Sequence, residues 1–157
     1  MLRLSKKADY ALMAIQYITS VQSGVVPGRV VNTKEIAEEY NIPTELLAKV
    51  LQTLTKHGLI ESQNGPKGGY SLARTPGDIT IAQVLEAIEG PLGITDCYHD
   101  GGSPCLQQEH CNIRTPLLKV QESIHQLLTS MTIKDMMGES APLITVQSLS
   151  TAEGVER

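Results

Sequence analysis

The sequence contains no tryptophan and no phenylalanine, and five tyrosines are its only large aromatic residues. The core must therefore consist of Leu, Ile, Val, Ala and Met, which suits packed helices, and little aromatic surface remains for stacking single-stranded bases. No apolar run approaches the roughly 20 residues of a membrane span. Residues 1–7 are basic but lack the apolar stretch and cleavage site of a signal peptide. These absences predict a cytoplasmic protein without a membrane partner.

Cysteine is scarce too, and its three copies lie close together in the chain. Seven residues separate Cys97 from Cys105, and five separate Cys105 from Cys111. The stretch also holds two adjacent glycines, a serine and a proline, which predict a loop. An odd number of cysteines in a reducing compartment favours metal or redox chemistry over a disulfide framework. Because thiolates bind iron–sulfur clusters and zinc, we interpret the loop as a sensor site.

The net charge of −4 is divided unevenly along the chain. Residues 1–75 hold nine Lys and Arg against six Asp and Glu, a balance of +3, and residues 76–157 hold four against eleven, a balance of −7. A surplus of three also occurs on ordinary protein surfaces. The first part is nevertheless the candidate for meeting the phosphates of a nucleic acid.

Three helices are predicted in this first part. Ser5 caps a helix that continues to residue 21, and Asn32 or Thr33 caps a short second helix. A tight turn at residues 41–44 leads into a third, amphipathic helix over residues 43–57, which Gly58 ends. Two helices joined by such a turn form the helix-turn-helix pattern, although a two-helix corner of any all-α domain would look similar.

A predicted β-hairpin follows the third helix directly. Residues 59–62 and 70–73 are strand-like, and the glycine-rich turn at 64–69 lies between them, which together predict a winged helix. The spacing of a phosphate-binding P-loop is missing. The residues expected to contact DNA lie at the first helix start, the second helix start, the outer face of the third helix and the hairpin tip. They are Ser5, Lys6, Lys7, Thr33, Thr44, Glu45, Lys49, Gln52, Thr53, Asn64, Gly65, Pro66, Lys67, Gly68 and Gly69.

Two more helices are predicted in the second part. A capping box formed by Thr80 and Gln83 opens one, and the last begins with Thr115 as its cap and Pro116 at its first position. This last helix carries an apolar heptad seam that predicts a homodimer, with an intramolecular core helix as the alternative. The seam residues are Leu117, Val120, Ile124, Leu127 and Met131.

The predicted fold is therefore mainly α, with a winged helix-turn-helix DNA-binding domain, a small β-hairpin wing and a long C-terminal dimerisation helix. We divide the chain into the DNA-binding domain at residues 1–75, a capping helix, cysteine loop and dimerisation helix at 76–137, and a flexible tail at 138–157.

The sequence resembles the bacterial winged helix-turn-helix regulators typified by IscR and NsrR, which sense iron–sulfur status, redox state or nitric oxide. The resemblance covers about residues 1–137. It rests on residues 4–12, 36–37 with 42–43, 56–60, the wing motif at 65–73 and the three-cysteine loop. It implies a homodimer on an often palindromic double-stranded DNA operator, with a [2Fe-2S] or [4Fe-4S] cluster held by the three cysteines and one further ligand.

The resemblance also points to candidates for that fourth ligand. IscR uses a histidine where this chain has Arg114, which cannot ligate. NsrR-type members use an aspartate from the first helix of the partner subunit, and Asp9 occupies that position here. His99 and His110 are rival ligands. The positions that read bases in IscR are Ala48 and Asn64 here, so no operator preference carries over.

The leading interpretation is a transcriptional regulator, by expectation a repressor, whose DNA affinity depends on an iron–sulfur cluster. Cluster-assembly genes are the expected targets. A first alternative keeps the DNA-binding dimer and uses the cysteines as a zinc or thiol-redox switch. An enzyme with Cys105 or Cys111 as nucleophile and His110 as base, and an adaptor that binds a partner protein through the seam, are further alternatives.

Overall fold

The computed structural model describes residues 3–24, 28–95 and 105–138. This part of the chain is mainly helical, with one antiparallel two-stranded hairpin. The order of elements confirms the predicted fold class. They are α1 (Lys6–Gln22), α2 (Thr33–Tyr40), α3 (Thr44–Lys56), β1 (Ile60–Gln63), β2 (Gly69–Leu72), α4 (Ile81–Glu89), α5 (Arg114–Ser130) and α6 (Ile133–Met137).

The starts of α1, α2 and α4 are encoded by side-chain caps. The hydroxyl of Ser5 accepts the amide of Ala8 at 3.3 Å, and the side chain of Asn32 accepts the amide of Glu35 at 2.9 Å. Thr80 and Gln83 form both hydrogen bonds of the predicted capping box. Each cap satisfies a first-turn N–H that has no partner inside the helix. The predicted boundaries of these elements are therefore close to the observed ones.

One hydrophobic cluster joins the winged helix to the elements that follow it. It includes Ile15 and Ile18 of α1, Leu51 of α3, Val84 of α4 and Ile133 of α6, all of them buried. The cluster thus extends across the predicted boundary between residues 75 and 76. The division into domains stays a prediction, and α4 and α6 share their core with the helix-turn-helix.

The hairpin has an extra partner that the sequence did not indicate. Strands β1 and β2 pair antiparallel, from Ile60 opposite Leu72 to Gln63 opposite Gly69. Val31, just before α2, exchanges both backbone hydrogen bonds with Tyr70, at 2.9 and 2.8 Å. This bridge fixes the wing to the start of the helix-turn-helix.

The start of α5 differs from the prediction. Ile113 is the cap position and Arg114 the first helical residue, so Thr115 is second and Pro116 third. The predicted cap, Thr115, was wrong because it assumed that Pro116 must be the first helical residue. No N–H in the first turn has a partner within the helix, so proline is also tolerated at the third position. At the other end, Met131 has extended backbone and packs against the core, so the helical seam ends at Leu127.

Candidate DNA interface and cysteine site

The turn between α2 and α3 presents the third helix to solvent. Asn41 adopts the left-handed conformation, with φ 51° and ψ 45°, and ends α2. Ile42 is buried, and its amide donates to the carbonyl of Ala37 at 2.9 Å. This arrangement fixes the direction in which α3 leaves the turn.

Helix α3 has one buried face and one polar face. Leu47, Val50, Leu51 and Leu54 face the core. Of the predicted DNA-contacting residues, Thr44, Glu45, Lys49 and Gln52 are exposed, and Thr53 is half-buried. The hydroxyl of Thr53 donates to the carbonyl of Lys49 at 2.9 Å. The exposed residues form the surface that a major groove would meet.

The hairpin tip at residues 64–67 is exposed, and Gly68 and Gly69, which follow it, are half-buried. Gly65 has φ +114°, a conformation that favours glycine, and its carbonyl accepts the amide of Gly68 at 2.9 Å. A Cβ on Gly68 would collide with the carbonyl oxygen of Gln63. Gly68 and Gly69 therefore shape the hairpin, and their contact with DNA stays a prediction.

The start of α1 carries two exposed lysines, Lys6 and Lys7. The nitrogen of Lys6 lies 3.8 Å from the carboxylate of Asp9. The amide of Ser5 donates to Oε1 of Glu89 at 3.1 Å. The last residue of α4, on the side that leads toward the cysteines, therefore bonds to Ser5, the residue that caps α1.

A charged network surrounds the start of α2. Arg29 lies 2.9 Å from Glu35, and the hydroxyl of Tyr17 donates to the same carboxylate at 3.2 Å. Desolvation, and then the charge of Glu35, raise the pKa of Tyr17 above its ordinary value, so it stays a neutral donor. Burial, and then Glu39, likewise raise the pKa of Tyr40. The charge of Arg29 is therefore paired with the carboxylate of Glu35.

Three of the lysines predicted to contact DNA carry a charge that no acid of the described residues neutralises. Within the described ranges Lys7, Lys49 and Lys67 form no ion pair. These three lysines come from α1, α3 and the wing. Their charges are therefore available to phosphates.

Two of the three cysteines fall within the described residues. Cys105 is exposed and Cys111 is half-buried, and neither forms a disulfide. Between them lies a single short helical turn, Gln108–His110, and the amide of Gln108 donates to the carbonyl of Cys105 at 3.1 Å. Cys97 and His99 lie outside the described residues, as does the predicted tail beyond residue 138.

The described residues of one chain do not make a complete metal site. No group of three His, Cys, Asp or Glu side chains is positioned to hold an ion within residues 3–24, 28–95 and 105–138. Asp9, Cys105 and Cys111 of the same chain therefore do not form such a group. A site that uses both cysteines therefore needs a ligand from outside the described residues, such as Cys97 or His99, or one from a second chain.

Three polar residues that the sequence reasoning missed connect the elements around this segment. Glu89 accepts the amide of Ser5, Gln121 bonds to the backbone at residues 92 and 94, and His125 of α5 lies 3.1 Å from Glu86 of α4. The only sequence signal for Gln121 was a polar residue beside the apolar positions of α5. Nothing in the sequence indicated its partners.

Helix α5 and its cap residue carry an exposed apolar stripe, which we define as Ile113, Val120 and Leu127. These side chains are 59%, 47% and 39% exposed and recur every seven residues. Leu117 and Ile124 of the predicted seam are half-buried beside the stripe. Leu128 and Gln121 face inward instead. Two faces of α5 are therefore apolar, and one of them has no cover within the described part of the chain.

None of the helices among the described residues is long and apolar enough to cross a membrane.

A helix-turn-helix followed by a hairpin wing defines a winged-helix DNA-binding protein. The model of the Rrf2 family, described as "Iron-dependent Transcriptional regulator", matches residues 4–139. The chain belongs to this family and is a DNA-binding transcriptional regulator. Since the family consists of regulators and not enzymes, the enzymatic alternative for Cys105 and Cys111 is excluded.

Individual relatives agree with this assignment. The transcriptional regulator NsrR of Oceanobacillus iheyensis is 28% identical over 148 residues, which cover 94% of this chain and 98% of that one. The structure of T. potens IscR is similar, with a TM-score of 0.66 and 25% identity over 99% of this chain and 94% of that one. CymR of B. subtilis, a global cysteine regulator, shares the fold with a TM-score of 0.67 and 22% identity over 87% and 97% of the two chains.

Proposed function

We propose that this chain is a homodimeric, cytoplasmic repressor whose operator affinity is set by an iron–sulfur cluster. The observation that carries the proposal is the pair of free thiols, Cys105 and Cys111, on a solvent-accessible turn directly before α5, in a family described as iron-dependent. Genes for cluster assembly are the proposed targets. A reducing cytoplasm would keep these thiols available as ligands.

The donor chemistry fits such a group. Thiolates are the usual ligands of iron–sulfur clusters, and both described cysteines are free of disulfides and reachable from solvent. Cys97, Cys105 and Cys111 would hold the cluster, with Asp9 of a second chain completing it. When bound, the cluster would supply a reactive iron centre whose presence depends on iron, oxygen or nitric oxide. Asp9 is proposed as the partner's ligand because it occupies the position of the first-helix aspartate that NsrR-type members use.

The residues of this chain would transmit the state of the site mechanically. At the end of α5, the amide of Ile81 donates to the carbonyl of Met131, and the amide of Ile133 donates to that of Ile79, both at 2.9 Å. These bonds join the end of α5 to the core that also carries α3. A change in how two α5 helices pair would therefore move each recognition helix with it. Two recognition helices must match half-sites about 34–36 Å apart, so a small rotation changes affinity.

The test compares the wild type with Cys105→Ala after purification without oxygen. We expect the wild type to show visible cluster absorption, iron and acid-labile sulfide, and to bind operator DNA differently once the cluster is removed. Cys105→Ala is expected to lose the cluster and this difference. Leu106→Ala is the matched control, because Leu106 is the 92% exposed neighbour and has no ligand atom. Wild-type protein without iron and sulfide would overturn the proposal.

A second candidate is a zinc or thiol-redox switch on the same dimer. It is favoured by the exposed His110 next to Cys111, because zinc accepts a mixed set of thiolate and imidazole ligands. Metal analysis of the same preparation separates the two candidates. Zinc without iron or sulfide would select this second one.

A further inference from the structure

Gln121 is a buried polar residue on the inner face of α5. Its side chain is only 2% exposed. Its Oε1 accepts the amide of Ile94 at 2.8 Å, and its Nε2 donates to the carbonyl of Leu92. One carboxamide thus pairs with two backbone groups of the segment that leads toward Cys97. We call residues 91–94 the lead-in segment.

The chemistry of these two bonds is specific to an amide. Asn and Gln offer a donor and an acceptor side by side on one planar group that is uncharged at every pH, which a carboxyl or an imidazole does not. An apolar residue would be the simpler choice for a buried position, since a buried amide is costly unless both its groups are paired. Gln121 meets this condition, because every buried side-chain polar atom of the described residues has a partner.

Packing holds the lead-in segment on one side only, where Leu92 contacts the core cluster. A cavity of about 400 Å³ lies beside it, between the start of the chain and α5, and its walls include Leu4, Ile94, Ile124 and Leu128. A segment bordered by open space can shift unless directional bonds hold it. The two bonds to Gln121 are directional.

The same short stretch also contacts α1. Glu89, two residues before the lead-in segment, accepts the amide of Ser5. Three residues after Ile94 comes Cys97, a predicted ligand. The stretch from 89 to 94 therefore bonds to α5 at one end and to the lysine-bearing start of α1 at the other.

We propose that Gln121 is a positioning residue that locks the lead-in segment to α5, so that a displacement of the cysteine loop is passed to α5. This inference rests on the proposed function for its consequence, the coupling to DNA affinity. The locking itself is a property of the metal-free chain. Gln121 faces inward and is neither a predicted DNA contact nor a residue of the stripe, so changing it leaves the side chains of both surfaces in place.

The first measurement is hydrogen exchange of the metal-free protein, comparing wild type, Gln121→Met and Gln126→Met. Methionine fills a similar volume without either hydrogen bond, and Gln126 is an exposed glutamine on the same helix. We expect the protection factor of the Ile94 amide to fall about 10-fold in Gln121→Met, as for the loss of one hydrogen bond. This decrease is counted after correction for any change in the global stability of the protein. Gln126→Met should leave it unchanged. An unchanged rate at Ile94 in Gln121→Met would overturn the proposal.

Gln121→Glu is the second variant, and it keeps the shape of the side chain. Its protonated carboxyl offers a donor and an acceptor as the amide does, and its carboxylate offers only acceptors. The carboxylate can still accept the Ile94 amide, but it faces the carbonyl of Leu92 with no proton to donate. This repulsion should push the lead-in segment away, so the protection of Ile94 should approach that of wild type at low pH and fall as the pH rises. A protection that ignores pH would argue against locking by these two bonds.

The second measurement is the ratio of operator affinities between cluster-loaded and metal-free protein. We expect Gln121→Met to bring this ratio toward one while its iron and sulfide content stays at the wild-type level. An unchanged ratio would reduce Gln121 to a structural role and overturn the coupling. A wild-type ratio of one would instead overturn the proposed function, and exchange at Ile94 alone would then decide whether Gln121 locks the segment.

Discussion

The close approach of the wing to the segment before α2 requires a glycine at position 69. A Cβ on Gly69 would lie 2.6 Å from the carbonyl oxygen of Val31, the atom that accepts the amide of Tyr70. Gly69→Ala is therefore expected to lower the free energy of unfolding by roughly 2 kcal/mol, because the backbone must shift and the Val31–Tyr70 pair weakens. Urea denaturation followed by circular dichroism measures the change.

Gly77→Ala is the matched control for this substitution. The nearest atom to a Cβ at Gly77 is in the flexible side chain of Lys134, 3.8 Å away. We expect its free energy of unfolding to stay within about 0.5 kcal/mol of wild type. Equal losses in the two variants would mean that glycine content, and not the close approach at Val31, decides the stability.

One acid at the start of α6 makes stability depend on pH. The side chain and backbone of Thr132 donate to Asp135 at 2.7 and 2.8 Å, and these hydrogen bonds hold the pKa of Asp135 below its ordinary value. A lowered pKa contributes stability at neutral pH that is lost as the pH falls through that lowered pKa. The urea midpoint of Asp135→Ala should therefore lie below that of wild type at pH 7, and the gap should close below about pH 4. The charge of Lys134 also lowers the pKa of Asp135 but is the smallest of the causes, so Lys134→Ala should show only a weaker trend of the same sign.

Residues with local partners could be predicted from the sequence, and those with distant partners could not. Ser5, Asn32 and Thr80 each bond to an amide three residues away, so the pattern is visible in a short window. Glu89 bonds to an amide 84 residues away, and Gln121 to groups 27 and 29 residues away. Such contacts depend on how α4 and α5 pack, which helical periodicity does not specify.

At the scale of elements, α5 offers a direct test of the proposed dimer. The stripe residue Val120 is 47% exposed, so a charge there costs the monomer little. In a dimer that buries the stripe, an unpaired carboxylate would be desolvated. Val120→Glu is therefore expected to raise the dimer dissociation constant by about 100-fold or more, corresponding to about 3 kcal/mol. Sedimentation velocity measures it.

Gln126→Glu adds the same charge on a different exposed face of α5. It should leave the dimer dissociation constant near that of wild type. The far-ultraviolet circular dichroism of both variants should match wild type, since neither side chain is part of the core. A Val120→Glu protein that remains as dimeric as the control would place the interface elsewhere.

An exposed lysine of α3 should contribute to the salt dependence of DNA binding. Lys49 is exposed and forms no ion pair within the described ranges. If it contacts a phosphate, Lys49→Ala should weaken binding to all duplex sequences by a similar factor and reduce the slope of log K against log salt by about one. Fluorescence anisotropy over a salt series measures both.

Lys119→Ala is the control, because Lys119 is exposed on α5 and away from the helix-turn-helix. Its salt slope should equal that of wild type. A loss of affinity for one DNA sequence only, at an unchanged slope, would instead assign Lys49 to a base edge.

The existence of α5 could be predicted from the sequence, but the roles of its two apolar faces could not. Its apolar repeat correctly predicted a long amphipathic helix, because i, i+3 and i+4 spacing is a strong signal. The repeat could not separate the face that packs inward through Leu128 from the stripe that stays exposed, since both are apolar. The sequence also did not indicate that Met131 leaves the helix to bond with Ile81.

At the scale of the whole molecule, the proposed sensor and the DNA-binding surface belong to one mechanical unit. The end of α5 is bonded to the core through Met131 and Ile133, and α4 is bonded to the start of α1 through Glu89. These bonds limit the motion of α5 relative to the recognition helix α3 of the same chain. In the proposed dimer, the variable quantity is then how one chain is placed against the other, which a ligand shared between chains would control directly.

A mixed dimer tests whether Asp9 serves the partner's cysteines. Homodimers of Asp9→Ala, and of Cys105→Ala, should both lose most of the cluster, because every site lacks one ligand. In a heterodimer of the two variants, purified through two different affinity tags, the intact cysteines of one chain face the intact Asp9 of the other. If the ligand comes from the partner, this heterodimer holds one complete site, and iron and sulfide should return to about half the wild-type content per dimer. If Asp9 served its own chain, each site would still lack a ligand and the content would stay at that of the homodimers. An Asp9→Ala homodimer that loads like wild type would remove Asp9 from the ligand set altogether.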